Sequence, residues 1–189
     1  MTDQKSIEQQ SALDAWKKSN SIGIVQAVTG FGKSRVGVLA ASEERGSVLV
    51  VTPTTVLRDV EWPNEFKKWG VSTDNVEFAC IQSLYTKTHL SYDLIIADEI
   101  HLMAGEEYIQ FFKRTKFKKL LGLTATIDSD SPILKLFSVI YTVTLKNALS
   151  FNAIAPFRIK NIGVELKERK RYESLTNTID KNFGRIANK

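Results

Sequence analysis

The chain has 189 residues, enough for one domain with a full hydrophobic core and short for two. Hydrophobic residues make up 43% and charged residues 25%, the ordinary balance of a soluble globular protein. No apolar run reaches the ~18 residues of a membrane helix, and a single cysteine, Cys80, excludes an internal disulfide or a Cys-based metal cluster. The polar, acid-bearing start "MTDQKSIEQQ" is unlike a signal peptide, so the sequence reads as cytoplasmic and not secreted. The net charge of +5 is uneven: residues 1–157 hold 17 basic and 17 acidic side chains, whereas 158–189 hold 9 and 4. That basic tail fits either a solvated helix face or a phosphate-backbone contact.

In chain order, apolar runs alternate with amphipathic stretches, the pattern of a mostly parallel sheet covered by helices on both faces. Residues 6–18 set Ile7, Leu13 and Trp16 near helical spacing, with Ser6 as a plausible N-cap. "IGIVQAV" reads as a buried strand and "KSRVGVLAASEE" as the helix after it. "SVLVVT" is a strand stopped by Pro53, "TVLRDVEW" is helical, and Pro63 opens a further helical piece. "VEFACI" and "YDLIIADE" are strands, the second ending in two carboxylates. A helix follows at about 105–115, then a strand at "KKLLGLT", a short helix at "PILKLF" and a strand at "IYTVTL". A last strand, "FRIKNIGVEL", leads into a polar helix from about Glu168. The expected organisation is one α/β domain over residues 1–166 and a polar helical extension over 167–189.

Two segments carry chemistry. "QAVTGFGKSR" holds Gly32-Lys33-Ser34, the end of a phosphate-loop pattern, although Ala27 stands where the strict pattern has its first glycine. A turn from strand end to helix start aims backbone N–H groups and a favourable dipole at an anion. Gly30 and Gly32 let the backbone approach closely, Lys33 can reach the β- and γ-phosphates, and the Ser34 hydroxyl can ligate Mg²⁺. Thr29, Phe31 and Arg35 complete the loop as candidate nucleotide contacts; a dinucleotide fingerprint fails because position 35 is Arg, not Gly. "LIIADEIH" places Asp98 and Glu99 at the carboxyl end of an apolar strand, where open α/β sheets bind ligands. Asp98 would hold Mg²⁺ and Glu99 would polarise the attacking water. The alternatives are a glycine-rich turn with an incidental lysine, and paired acids that merely cap a strand.

"AVTGFGKS" with "DEIH" resembles motifs I and II of superfamily 2 helicases and translocases of the DEAH/DExH type, whose motif I carries alanine at the place of Ala27. "LLGLTATI" resembles motif III, which implies that Thr124, Ala125 and Thr126, with His101 as hydrogen-bond partner, couple the nucleotide site to nucleic-acid movement. "QQSALDAW" is similar to the adenine-reading start of this group, with Gln9 as the reader; Ser6, Ile7 and Glu8 stand where the family carries Arg and an aromatic residue. "VLVVTPTTVLRDVEW" resembles motif Ia, implying backbone contacts to nucleic acid from Thr54 and Thr55, and "IQSL" implies the same for Gln82 and Ser83. For these four, simple turn residues are the competing reading. Trp16, Trp62 and Trp69 read as core, as does Cys80.

The resemblance covers residues 6 to about 167 and extends to the branch of restriction-enzyme motors and repair helicases. It implies the first RecA-like domain of an ATP- and Mg²⁺-dependent motor, working on nucleic acid (DNA before RNA) in the cytoplasm or at the nucleoid. A second RecA-like domain, in the same chain or a partner, would supply arginine fingers, so the 189 residues alone are expected to be weak or inactive as an ATPase. A nucleotide-binding decoy that regulates a full-length helicase is the competing expectation. A small phosphate-loop kinase fits less well with the D-E-x-H and T-A-T segments.

Overall fold

A computed structural model describes residues 4–151 and 153–154. The expected strand at 157–166 and the polar helix at 167–189 lie outside the described residues. Six strands alternate with helices: α1 (Gln4–Lys18), β1 (Ile22–Ala27), α2 (Lys33–Ser42), β2 (Val48–Thr52), α3 (Trp62–Lys68), β3 (Val76–Cys80), α4 (Ile81–Leu84), β4 (Ser91–Asp98), α5 (Glu106–Arg114), β5 (Lys116–Thr124), β6 (Val139–Val143) and α6 (Leu145–Ser150). The strands form one sheet in the order β3-β2-β4-β5-β1-β6, and every pairing is parallel.

Parallel strands joined by helices are buried on both faces, which is why β2 and β4 read as continuous aliphatic runs. Alternate residues of β4 serve opposite cores. Leu94 and Ile96 pack with Val36, Trp62 and Phe66, while Ile95 and Ala97 pack with Met103, Phe111 and Phe112. Full burial of such aliphatic and aromatic side chains is worth roughly 1.5–3 kcal/mol each, so the sheet is a rigid platform. The chain leaves β1, passes over β5 and β4, and enters the sheet again at β2. That crossover opens a crevice at the carboxyl ends of the central strands, where this architecture binds ligands.

Several local expectations need correction. Ser6 does not cap α1, because the helix already begins at Gln4. The stretch after Pro53 continues without a break: a π-helical turn, Leu57–Glu61, runs directly into α3, and Pro63 sits in the first turn of α3. The wider π turn relieves the carbonyl clash that a proline ring would meet in a regular α-helix. Trp16 and Trp62 are core residues, but Trp69 is 42% exposed, because α3 ends one residue earlier and releases it to the surface. Between β5 and β6 the expected short helix is a 3₁₀ turn, Pro132–Lys135. Among the described residues no helix is long and apolar enough to cross a membrane.

Candidate active site

The strand registers set the geometry. Val25 of β1 aligns with Leu123 of β5, and Leu123 aligns with Asp98 of β4. Asp98 therefore lies level with the end of β1, about 10 Å away across one intervening strand. The chain then turns through residues 28–32 into α2. Gly30 and Gly32 take φ of 87° and 84°, left-handed values that an L side chain resists, and Phe31 between them is fully buried. Phe31 meets the Phe151 ring edge-on at 6.5 Å, and Ile154 lies close over Gly30, so the chain after α6 backs the loop. Lys33 opens α2, with Ser34 second; both are half-buried, and Thr29 is exposed. Helix α2 thus points its positive end, bearing Lys33, into the crevice.

Helix α1 grips the loop from outside. Lys5 Nζ donates to the Gly30 carbonyl at 2.7 Å, and Gln9 Nε2 donates to the carbonyls of Phe31 at 2.7 Å and Gly32 at 3.3 Å. Three consecutive carbonyls of the loop therefore face α1, which leaves the loop amides to face elsewhere. Gln9 is only 2% exposed, and its Oε1 accepts from the Arg35 guanidinium. Arg35 also donates to Ser6 Oγ at 2.6 Å and stacks over the Trp69 ring at 4.3 Å, a cation–π contact. Its buried Nε has no partner among the described residues. Lys5, Ser6, Gln9, Arg35, Glu65 and Trp69 line a hollow of about 270 Å³ beside the loop.

Asp98 is 9% exposed at the end of β4. Its Oδ2 accepts from the Trp62 indole N–H at 2.9 Å, and its Oδ1 accepts from the Glu99 amide at 3.0 Å. Burial raises its pKa most; the Trp62 bond opposes this, the Glu99 charge adds to it, and the nearby Lys33 charge lowers it again. A carboxylate held out of water beside a second carboxylate favours a cation, and Ser34 offers a hydroxyl of the type that joins it around Mg²⁺. The donor set fits a hard divalent ion. Glu99 itself sits in the left-handed region, φ 48°, so the chain turns sharply at this second acid. Non-glycine residues held there cost of order 1–3 kcal/mol and cluster at functional sites.

His101 Nδ1 lies 2.8 Å from Thr124 Oγ1 and 3.4 Å from Glu99 Oε2. The Thr124 hydroxyl donates its one proton to the Thr126 carbonyl at 2.6 Å, so it must accept from His101 Nδ1–H. These contacts tie the strand end bearing Glu99 to the segment after β5. On the neighbouring edge, Thr54, Thr55, Gln82 and Ser83 are all exposed. Gln82 Nε2 donates to the Pro53 carbonyl at 3.0 Å, which joins the two segments, while Thr54 Oγ1 accepts from the Leu57 amide and Ser83 Oγ donates to the Cys80 carbonyl.

The structure thus brings together Lys33, Ser34, Asp98, Glu99, His101 and Thr124 at one edge of the sheet, with Gln9 and Arg35 behind the loop. Three participants escaped the sequence reading: Lys5, Trp62 as a donor, and Trp69 as a stacking face. Lys5 and Gln9 lie one helical turn apart, a spacing that could have paired them. Nothing in the sequence says which acceptor a buried indole finds.

A family model described as "Type III restriction enzyme, res subunit" matches residues 71–129. The DNA 3'-5' translocase XPB2 of Sulfurisphaera tokodaii is 28% identical over 188 residues, which cover 88% of this chain and 42% of that protein. The chain therefore spans less than half the length of this curated relative. Among solved structures, the UvsW helicase from bacteriophage T4 aligns with a TM-score of 0.58 at 19% identity, over 72% of this chain and 59% of that one. The ATP-dependent Type ISP restriction-modification enzyme LlaBIII bound to DNA aligns with a TM-score of 0.56 at 17% identity, over 80% and 16%. At such identities the two structures establish a shared fold. The family match and the translocase add likeness in sequence over part or most of the chain.

Proposed function

We propose that this chain is the nucleotide-binding motor domain of a DNA helicase or translocase, coupling ATP hydrolysis to movement along the nucleic acid together with a second RecA-like domain. The observation that carries the reading is the meeting of the Lys33-bearing helix start with the buried Asp98 and the turned Glu99, on strands held level by their register.

The loop amides and Lys33 bind the triphosphate and oppose its charge. Ser34 and Asp98 would hold Mg²⁺, which would supply positive charge against that developing on the phosphates. Glu99 orients the attacking water and accepts its proton, a role worth typically 10²–10⁴-fold. The His101–Thr124 contact carries the state of that site toward Thr126, while Thr54, Thr55, Gln82 and Ser83 offer exposed polar groups to a nucleic-acid backbone. DNA is favoured over RNA because the named translocase and the LlaBIII complex both concern DNA. Gln9 and Arg35 form one wall of the adenine pocket.

The test is ATP binding and turnover with and without double-stranded DNA, in the wild type and in Lys33→Ala and Glu99→Gln. Lys33→Ala should weaken binding of a fluorescent ATP analogue at least ~10-fold, the loss of a charge-assisted phosphate contact. Glu99→Gln should bind as the wild type does and lose hydrolysis. A Lys33→Ala chain that binds ATP as well as the wild type overturns the reading. Binding without DNA-stimulated turnover, even beside an added second domain, turns it into a regulatory nucleotide-binding module.

A further inference from the structure

Both oxygens of Asp98 already accept a hydrogen bond, one from each side. The bond from the Glu99 amide belongs to the turn itself, whereas the indole of Trp62 arrives from α3, 36 residues away in sequence. That indole has no freedom to leave. Trp62 is 1% exposed, leans on the Phe66 ring at 6.3 Å, and lies so close over Gly37 of α2 that a Cβ there would stand 2.6 Å from its Cη2. The helix after the phosphate loop therefore presses the ring into place, and the ring presents its N–H to Asp98. An indole N–H is a donor only, so this contact holds a carboxylate oxygen and cannot invert. Each carboxylate oxygen offers about two acceptor sites, so one site on each remains for a metal or its water.

We propose that Trp62 is a positioning residue for the metal: its N–H fixes the plane of the Asp98 carboxylate and thereby sets how strongly the site takes magnesium. This rests on the nucleotide-binding reading above and adds a residue to it. Partners of metal-binding side chains typically account for 10–100-fold in metal affinity. A tryptophan that only filled the core would change the melting temperature and leave the metal dependence alone.

The experiment follows binding of a fluorescent ATP analogue to the full chain, in EDTA and then across a MgCl₂ titration, for the wild type, Trp62→Phe and Phe66→Leu. Trp62→Phe removes the donor and keeps an aromatic ring; Phe66→Leu loosens the same core and keeps the donor. Expected is a ~10- to 100-fold rise in the magnesium needed for half-maximal enhancement in Trp62→Phe, with metal-free binding unchanged and Phe66→Leu as wild type. An unshifted Trp62→Phe, or an equal shift in Phe66→Leu, overturns the inference while leaving the nucleotide site standing. A wild type that binds no nucleotide under either condition removes the reading itself. Should Trp62→Phe fail to fold, the indole ¹H–¹⁵N resonance of Trp62 in the wild type decides. Movement when MgCl₂ is added to the nucleotide complex supports the role, and an unmoved resonance overturns it.

Discussion

A single proton distinguishes the two ring nitrogens of His101, and its neighbours determine where it sits. Thr124 Oγ1 gives its hydrogen to the Thr126 carbonyl and therefore takes one from His101 Nδ1, with a Glu99 oxygen 3.4 Å from the same nitrogen. Both neighbours of Nδ1 act as acceptors, so the hydrogen bonds favour the tautomer with its proton on Nδ1. Imidazole ¹⁵N shifts should report that tautomer in the wild type, and Thr124→Val, which removes the acceptor, should relax the preference without changing ATP binding. A wild-type His101 with bare Nδ1 would contradict the arrangement. At this scale the pairing of His101 with Thr124 was an expectation of the resemblance of "DEIH" and "LLGLTATI" to motifs II and III, not of spacing or apolar pattern, and the two side chains do meet at 2.8 Å. The resemblance did not foretell the grip of Lys5 and Gln9 on three loop carbonyls, or the bond from Trp62 to Asp98. Those contacts depend on how far α1 and α3 slide along the sheet, which no local pattern encodes.

The elements themselves were largely legible, because buried parallel strands must be apolar throughout, and "VLVVT" and "LIIAD" leave little choice. The misses fall where short-range rules compete. The strand expected at "IYTVTL" would run to Leu145, yet it ends at Val143, and Thr144 and Asn147 form a reciprocal cap that starts α6 there. At the opposite end of the sheet from the phosphate loop, one carboxylate stitches three strands. Asp93, near the start of β4, accepts from the Ser47 amide and hydroxyl ahead of β2 and pairs with Lys118 of β5 at 2.6 Å. The Lys118 partner first, then the Ser47 bonds, lower its pKa to about 2 from an ordinary 3.8. The folded state therefore prefers the ionised form. Its contribution is complete above pH 3.8 and is lost as pH falls through about 2. Denaturant melts between pH 5 and pH 2 should show a shallower acid decline in Asp93→Asn than in the wild type. An unchanged slope would mean the stitch does not form in solution.

For the whole molecule, the decisive quantity is how much of the catalytic chemistry one nucleotide face can supply. The described residues set the glycine-rich loop, Asp98 and Glu99 on a single sheet edge, and the chain spans 42% of the translocase it matches. Phosphoryl transfer also needs cations against the charge spread over the equatorial oxygens, and an arginine finger delivers roughly 10³–10⁵ in turnover in related enzymes. In the proposed reading Lys33 serves the phosphates from the loop side, while Arg35 is turned back toward Ser6, Gln9 and Trp69. Under the proposed function, the opposite side of the triphosphate would fall to a second RecA-like domain. The 189-residue chain should accordingly bind ATP–Mg²⁺ weakly, turn it over slowly and unwind no duplex. Adding the second domain, fused or in trans, should raise turnover by about 10³-fold or more, and DNA should stimulate it further. Steady-state ATPase and strand-displacement assays on both forms measure this directly. Vigorous unwinding by the 189 residues alone would show that the chain completes its own transition-state site, and the two-domain account would have to be abandoned.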